Sequence, residues 1–159
     1  MTRPTRLATI DDISEIVRVI NAAYCVEAFF VKGDRTSRED IGRRLATPGA
    51  SFLVIDGDEP QRLAAAVAID VFDGHGHFAM LSVDPEAQGR GLSRVLMEAI
   101  EMHCRKAGCS ALELEVVNLR EELPPFYEKF GFAQMGTAPF NSPEKLTREA
   151  HLVRMSKPL

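Results

Sequence analysis

The stretch Val83-Asp-Pro-Glu-Ala-Gln-Gly-Arg-Gly-Leu-Ser93 decides how this chain is read. It places a turn with two glycines between a strand-like run, His77–Val83, and the clearest helical pattern in the sequence, Leu92–Ala107. In that helix Leu92, Val95, Leu96, Ala99, Ile100, His103, Cys104 and Ala107 share one face, and Gly108 closes it. The first-turn amides of a helix lack internal partners and sit at the positive end of its dipole, so phosphate oxygens are favoured there. Gly89 and Gly91 let such an anion approach the backbone. There is no GxxxxGK[ST] phosphate loop, and the third glycine of a dinucleotide fingerprint is missing.

Working outward toward the N-terminus, three runs suit an antiparallel meander: Ser51–Ile55, Arg62–Phe72 after the Asp56-Gly57-Asp58 turn, and His77–Val83 after Asp73-Gly-His-Gly76. Before them, a short strand near Arg3–Ala8 leads to Thr9 or Asp11 as cap of a helix with Ile13, Ile16, Val17, Ile20 and Tyr24 in one stripe. Ser37 with Asp40 resembles a capping box for a second helix through Ile41 and Leu45, ended by Pro48-Gly49. Between these helices lies an irregular aromatic loop, Glu27–Arg35. Toward the C-terminus the pattern gives a strand Ala111–Val117, a short helix from Pro124-Pro125 to Phe130, and strands Phe132–Gly136 and Ala150–Ser156. The class is α/β with a mixed sheet.

Composition narrows the function. The chain of 159 residues, 45% hydrophobic, suits one domain over residues 1–159, with no repeat and no flexible linker. A net charge of −4 lacks the basic surplus of a nucleic-acid binder, so no nucleic-acid partner is expected. No apolar run reaches the length of a membrane span and no signal-peptide stretch follows Met1, so no membrane partner and a cytoplasmic location are expected. The three cysteines, Cys25, Cys104 and Cys109, form no CxxC pair, and the four histidines show no HExxH spacing, so no metal is expected.

A second segment joins the glycine turn. The strand ending in Val116-Val117-Asn118 precedes Phe126-Tyr-Glu-Lys-Phe-Gly-Phe132. With Val83-Asp84-Pro85 and Gln88-Gly89-Arg90-Gly91, this resembles the GNAT superfamily of acyl-CoA-dependent acyltransferases. That family carries Gln/Arg-x-x-Gly-x-Gly/Ala after a strand and an Asn…Tyr-Glu-Lys-x-Gly-Phe segment further on. The likeness covers about Phe78 to Phe132. It implies a mixed, largely antiparallel sheet of six to seven strands flanked by about four helices and splayed between the fourth and fifth strands. Two departures stand out: Ser93 occupies the usual Gly/Ala position, where its hydroxyl could cap the helix or bind phosphate, and the stretch from Asn118 to Tyr127 is longer than usual.

The resemblance implies acetyl-CoA as co-substrate. Backbone groups of Leu81, Ser82 and Val83 would take the pantetheine arm, and Gln88, Gly89, Arg90, Gly91, Leu92 and Ser93 the pyrophosphate, with Asn118 and Tyr127 completing the cofactor side. Tyr127 would be the general acid, because a phenol stays protonated while a thiolate leaves. The strand before the glycine turn has no carboxylate to serve as base, so Glu27 is the first choice, with Phe29 and Phe30 raising its pKa by desolvation. Glu113 and Glu115 are reserves. Glu27, Phe30, Arg35 and His151 are the acceptor-side residues; Arg35 and Arg38 would meet an acidic group, and Thr137–Arg148 would form a lid. The implied activity is direct transfer of an acetyl group to a primary amine in a ternary complex, on a small-molecule acceptor. Acetylation of a protein N-terminus or lysine, and an acyl-CoA-binding module without catalysis, stay open, as does a homodimer.

Overall fold

The structure, a computed structural model, describes residues 4–159, so Arg3 of the expected first strand lies outside the described residues. Strand β1 (Thr5–Leu7) pairs with β2 (Ala50–Asp56), and β2, β3 (Leu63–Phe72) and β4 (His75–Val83) form the expected antiparallel meander. The β3–β4 turn is tighter than expected. Asp73 and Gly74 both adopt positive φ (49° and 74°), the geometry of a two-residue hairpin, so β4 starts at His75. Strand β5 (Ala111–Val117) lies parallel to β4, and β7 (His151–Pro158) inserts between β5 and β6 (Ala133–Pro139). The sheet order is β1-β2-β3-β4-β5-β7-β6, seven strands as expected at the upper end.

Helices cover both faces. On one side α1 (Ile13–Ala23) and α2 (Arg38–Leu45) bury Ile16, Val19, Ile20 and Ile41 against Phe52, Val54, Ala66 and Ala68. On the other, α3 (Leu92–Lys106) and α4 (Leu123–Glu128) pack on Leu53, Ile55, Val67, Ile69, Phe78, Leu112 and Leu114. Coverage on both faces explains why Leu63–Ile69 is a continuous buried run rather than an alternating one. Gly76 lets α3 seat closely on β4: a Cβ there would collide with the Cys104 sulfur.

Caps differ in detail from expectation. A 3-10 turn, Ile10–Asp12, precedes α1, with a capping box between Thr9 and Asp12. Ser37 accepts from Asp40 N, but the Asp40 carboxylate turns to Thr36 Oγ1 at 2.8 Å, so only half of the expected box forms. At the end of α3, Gly108 is left-handed, its N–H donates to Arg105 O, and Cys109 N–H donates to Cys104 O, a Schellman closure. Ala107, expected on the apolar face, is the exposed cap residue.

Candidate active site

Strands β4 and β5 pair at only three positions, His75↔Ala111, Gly76↔Leu112 and His77↔Glu113. Beyond His77 they separate. A bulge reinforces the divergence: Ala66 faces Ser82 and Ala68 faces Ala79, so Met80 and Leu81 together oppose Val67. Met80 sits at φ 57°, and Ser82 Oγ donates to its carbonyl at 2.9 Å. Asp84 N–H bonds to Ala64 O in β3, so by strand alternation Val83 and Leu81 turn their N–H and C=O groups toward the opening. A sheet edge of this kind can take an extended ligand. Ser82 faces β3 and is buried.

The turn after β4 is anchored from below. Asp84, 6% exposed, binds Arg18 at 2.8 Å and accepts from Glu86 N–H, while Arg18 also pairs with Glu15. Burial alone would raise the Asp84 pKa, but the Glu86 N–H and Arg18 outweigh it and hold the carboxyl below the usual range. Gly89 and Gly91 are both left-handed (φ 82° and 75°), and nothing lies within 4 Å of a Cβ built on either. Gly91 is the N-cap of α3 and supplies no side-chain cap. The amides of Leu92 and Ser93 therefore face an open cradle suited to phosphate. Ser93 lies inside the helix rather than at the cap, which removes the capping role expected for it. Arg90 pairs with Asp58 on the β2–β3 turn at 3.3 Å, and Gln88 Nε2 reaches toward Val83 O at 3.5 Å.

Between the separated strands lies a cleft of about 690 Å³, lined by Tyr24, Glu27, Arg35, His77, Leu81, Glu115 and Tyr127 among others. Proline at the start of α4 and the Phe126–Phe130 contact orient that short helix so that Tyr127 points inward. Its ring makes edge-on contacts with Phe78, Phe126 and Phe132, at centroid distances of 5.8, 5.0 and 6.0 Å. Burial raises the Tyr127 pKa, and the neighbouring Tyr24 adds to the shift. Glu27 ends a 3-10 turn, Tyr24–Glu27, that continues α1. Its side chain is 12% exposed and accepts from Arg120 at 3.0 Å. Burial raises its pKa, and Arg120 partly opposes that rise.

The structure thus brings Tyr127, Glu27, Arg35 and Leu81 to one cleft, with the glycine turn at the next corner. Other expected residues stand elsewhere. Phe30 is fully buried outside the cleft lining and Phe29 is half exposed. Asn118 Oδ1 accepts from His151 N–H at 2.8 Å and Asn118 N–H donates to His151 O, extending the β5–β7 ladder. Both side chains are therefore placed outside the cleft lining, and His151 is exposed. Arg38 donates to Ser14 Oγ on α1 and is not among the residues lining the cleft. Of Thr137–Arg148, Phe140, Asn141, Ser142 and Lys145 border the cleft. Glu113 pairs with His75 at 3.4 Å away from it.

Three cleft-side residues escaped the sequence reading. Tyr24 was only the last member of an apolar stripe, and Arg120 sits in a loop with no pattern to mark it. His77 Nε2 is buried with no hydrogen-bond partner and lies 3.5 Å from Glu115 Oε1. Among the described residues no group of three or more His, Cys, Asp or Glu side chains is placed to hold a metal ion.

Residues 16–132 match the Acetyltransferase (GNAT) family. The chain belongs to the GNAT acetyltransferase family. It is 31% identical over 156 residues to an IAA acetyltransferase of Azospirillum brasilense, covering 98% of this chain and 94% of that protein. It is 30% identical over 154 residues to a mycothiol acetyltransferase of Propionibacterium freudenreichii, covering 93% of this chain and spanning about half (48%) of that relative. The GNAT fold is shared with the ribosomal-protein-S18-alanine N-acetyltransferase from Escherichia coli, with a TM-score of 0.79 at 17% identity over 99% of this chain and 94% of that one. A phosphinothricin acetyltransferase from Sinorhizobium meliloti in complex with AcCoA gives a TM-score of 0.78 at 17% identity, over 100% of this chain and 89% of that one. GNAT members use acetyl-CoA, and the open glycine cradle, the uncapped start of α3 and the unpaired edge of β4 are features that fit it here.

Proposed function

We propose that this GNAT acetyltransferase moves an acetyl group from acetyl-CoA directly to the primary amine of a small molecule, both reactants being held together, with residues 1–159 acting as one catalytic domain. The observation that carries this reading is the placement of a buried Tyr127 in the cleft between the separated ends of β4 and β5. The β4 edge at Leu81 and Val83 is suited to aligning the pantetheine arm, and the α3 amides to holding the pyrophosphate. That alignment directs the thioester toward Tyr127. Holding two reactants in register can remove several kcal/mol of barrier without a covalent enzyme intermediate.

In the transfer the acceptor nitrogen gives up a proton and forms the N–C bond as the C–S bond breaks. Tyr127 donates its phenolic proton to the leaving sulfur, and its raised pKa keeps that proton in place until then. Glu27 takes one proton from the acceptor ammonium to free the attacking lone pair, and the second nitrogen proton, released as the amide forms, restores the Tyr127 phenol. Its burial strengthens it as a base, while Arg120 keeps it oriented. The three free cysteines suit a reducing, cytosolic setting, where thiols persist.

The test is release of the CoA thiol from acetyl-CoA across a panel of primary amines, including free small amines and an N-terminal peptide. Turnover with small amines supports the reading. Turnover with the peptide alone moves the acceptor to proteins, and tight acetyl-CoA binding with no turnover leaves an acyl-CoA-binding module.

A further inference from the structure

Most of the charge around the cleft is compensated within the protein. Glu27 is held by Arg120, and Arg44 lies 3.9 Å from Asp40 and 3.7 Å from Asp70. Arg35 is different. It is half-buried and lines the cleft, and among the described residues it has no carboxylate within ion-pair distance and no acceptor for its N–H groups; its charge reaches the Glu27 carboxylate only through space, and Glu27 is already bonded to Arg120. Its guanidinium carbon stands over the Tyr24 ring, 5.3 Å from the centroid, a cation–π contact that holds the head group at the cleft wall. A partly desolvated guanidinium with five free donors in a planar fork matches one ligand chemistry above others, a carboxylate taken through two parallel hydrogen bonds.

A second unpaired cation stands nearby on the other loop. Lys145 borders the same cleft and has no ion-pair partner among the described residues. The two loops are stitched together: Lys32 N–H donates to Lys145 O, Val31 bridges Leu146, and Thr147 N–H donates to Phe30 O. The loop carrying Lys145 is therefore held against the segment leading to Arg35. Asp34 also borders the cleft and, like Lys145, is exposed, so water screens both charges and the half-buried Arg35 is the principal anchor. Tyr24, beneath Arg35, shares the cleft with Tyr127, which puts the free guanidinium on the wall next to the proposed proton donor.

We propose that Arg35, assisted by Lys145, anchors the carboxylate of the acceptor, so that the acceptor is a small amine that also carries an acid group. The inference rests on the acetyl-transfer reading and adds the acceptor class to it. The amino-acid-like acceptor is oriented from both ends, its carboxylate on Arg35 and its amine toward Tyr127.

The experiment compares 4-(aminomethyl)benzoate with 4-(aminomethyl)benzamide, which have similar amines and differ in the acid group. CoA release gives kcat/KM for each, and calorimetry on the CoA-loaded protein gives each affinity. The expected result is a preference for the benzoate of about tenfold or more, expressed mainly in KM. Arg35→Gln should collapse that preference toward one, and Arg35→Lys, which keeps the charge without the fork, should keep part of it. Thermal unfolding with acetyl-CoA checks that both variants are folded and loaded. Equal kcat/KM for the two probes in the parent protein, or an undiminished preference in Arg35→Gln, overturns the proposal. If neither probe is acetylated, calorimetry decides: benzoate binding that Arg35→Gln abolishes upholds the anchor, and no benzoate preference overturns it. Failure of acetyl transfer to every amine instead overturns the acetyl-transfer reading, and does so independently of the calorimetric result.

Discussion

Arg120 Nη1 lies 3.0 Å from Glu27 Oε2, joining the loop after β5 to the turn that ends α1 across 93 residues of sequence. The influences on Glu27 oppose each other: burial raises its pKa, the Arg120 charge and hydrogen bond lower it with help from Arg35, Glu122 adds a small rise, and burial wins. A base with a raised pKa holds its captured proton more firmly, and the price is a carboxylate that costs stability when ionised.

That balance gives a pH prediction. A carboxylate must be ionised to accept a proton, so activity falls as pH drops through the Glu27 pKa. Arg120→Met removes an influence that lowers this pKa, so the acid limb of kcat/KM should move to higher pH, apart from any limb owned by the acceptor amine. Glu27→Gln should remove the limb and lower kcat/KM at pH 7. Because the folded pKa lies above the unfolded one, ionised Glu27 weakens folding at neutral pH, so the Gln variant should melt no lower than the parent at pH 7. An acid limb that stays in place in Arg120→Met would transfer the base role to Glu115 beside His77.

The glycine turn gives a prediction in which conformation and charge can be separated. Nothing lies within 4 Å of a Cβ on Gly91, so substitutions act through its left-handed φ of 75° and through charge rather than through a clash. Gly91→Ala should cost about 1–2 kcal/mol from backbone strain. Gly91→Glu should add repulsion of the pyrophosphate and weaken acetyl-CoA binding by roughly tenfold or more beyond the Ala variant. Calorimetric titration of both variants with CoA makes the comparison, and equal affinity in the two would detach the pyrophosphate from the start of α3.

Asp84 and Arg18 give a stability prediction. Arg18→Met leaves the buried Asp84 without its cation and should cost on the order of 2–3 kcal/mol at pH 7 by urea unfolding. The folded Asp84 pKa is depressed, so the stability it contributes is present above the ordinary carboxyl range near ~3.9 and is lost as pH falls through the folded value. The gap between parent and variant should therefore hold from pH 7 down to about 4 and narrow as pH is lowered from there toward 2. A gap that is constant across that lower interval would mean the loss comes from packing of the Arg18 stem.

What could be read from the residues was what local chemistry marks. Apolar alternation and the 3.6-residue stripe gave the element order, Asp73–Gly76 marked a hairpin turn two residues longer than the one that forms, and the glycine turn before α3 marked the candidate cofactor side. What could not be read depends on distant partners. Nothing local to His151–Pro158 says that β7 inserts between β5 and β6, because that pairing matches Val116 with Val153 across a long separation. The bulge that turns β4 away from β5 rests on Met80 at positive φ, a conformation that a methionine does not advertise. Asn118 shows the same limit, since its side chain is taken up by the backbone of His151. The Glu27–Arg120 pair exists only once the loop after β5 meets the end of α1.

Tyr127 gives the sharpest test of the chemistry. Its ring is fixed by Phe78, Phe126 and Phe132, and Phe keeps every one of those contacts, so Tyr127→Phe should fold with a melting temperature near that of the parent. The hydroxyl alone is removed. If it protonates the leaving thiolate, its contribution exists mainly in the transition state, so kcat should fall by roughly ten- to ten-thousandfold with acetyl-CoA affinity nearly intact. Burial raises the Tyr127 pKa, so the phenol stays protonated through the neutral and mildly alkaline range and should add no alkaline limb to the parent profile there. The residual rate of the Phe variant should depend on the leaving group: an acetyl thioester of an acidic aromatic thiol needs less protonation and should recover part of the lost rate. Parental kcat with acetyl-CoA in Tyr127→Phe would reduce Tyr127 to a packing residue and leave the leaving thiolate to be protonated by water in the cleft.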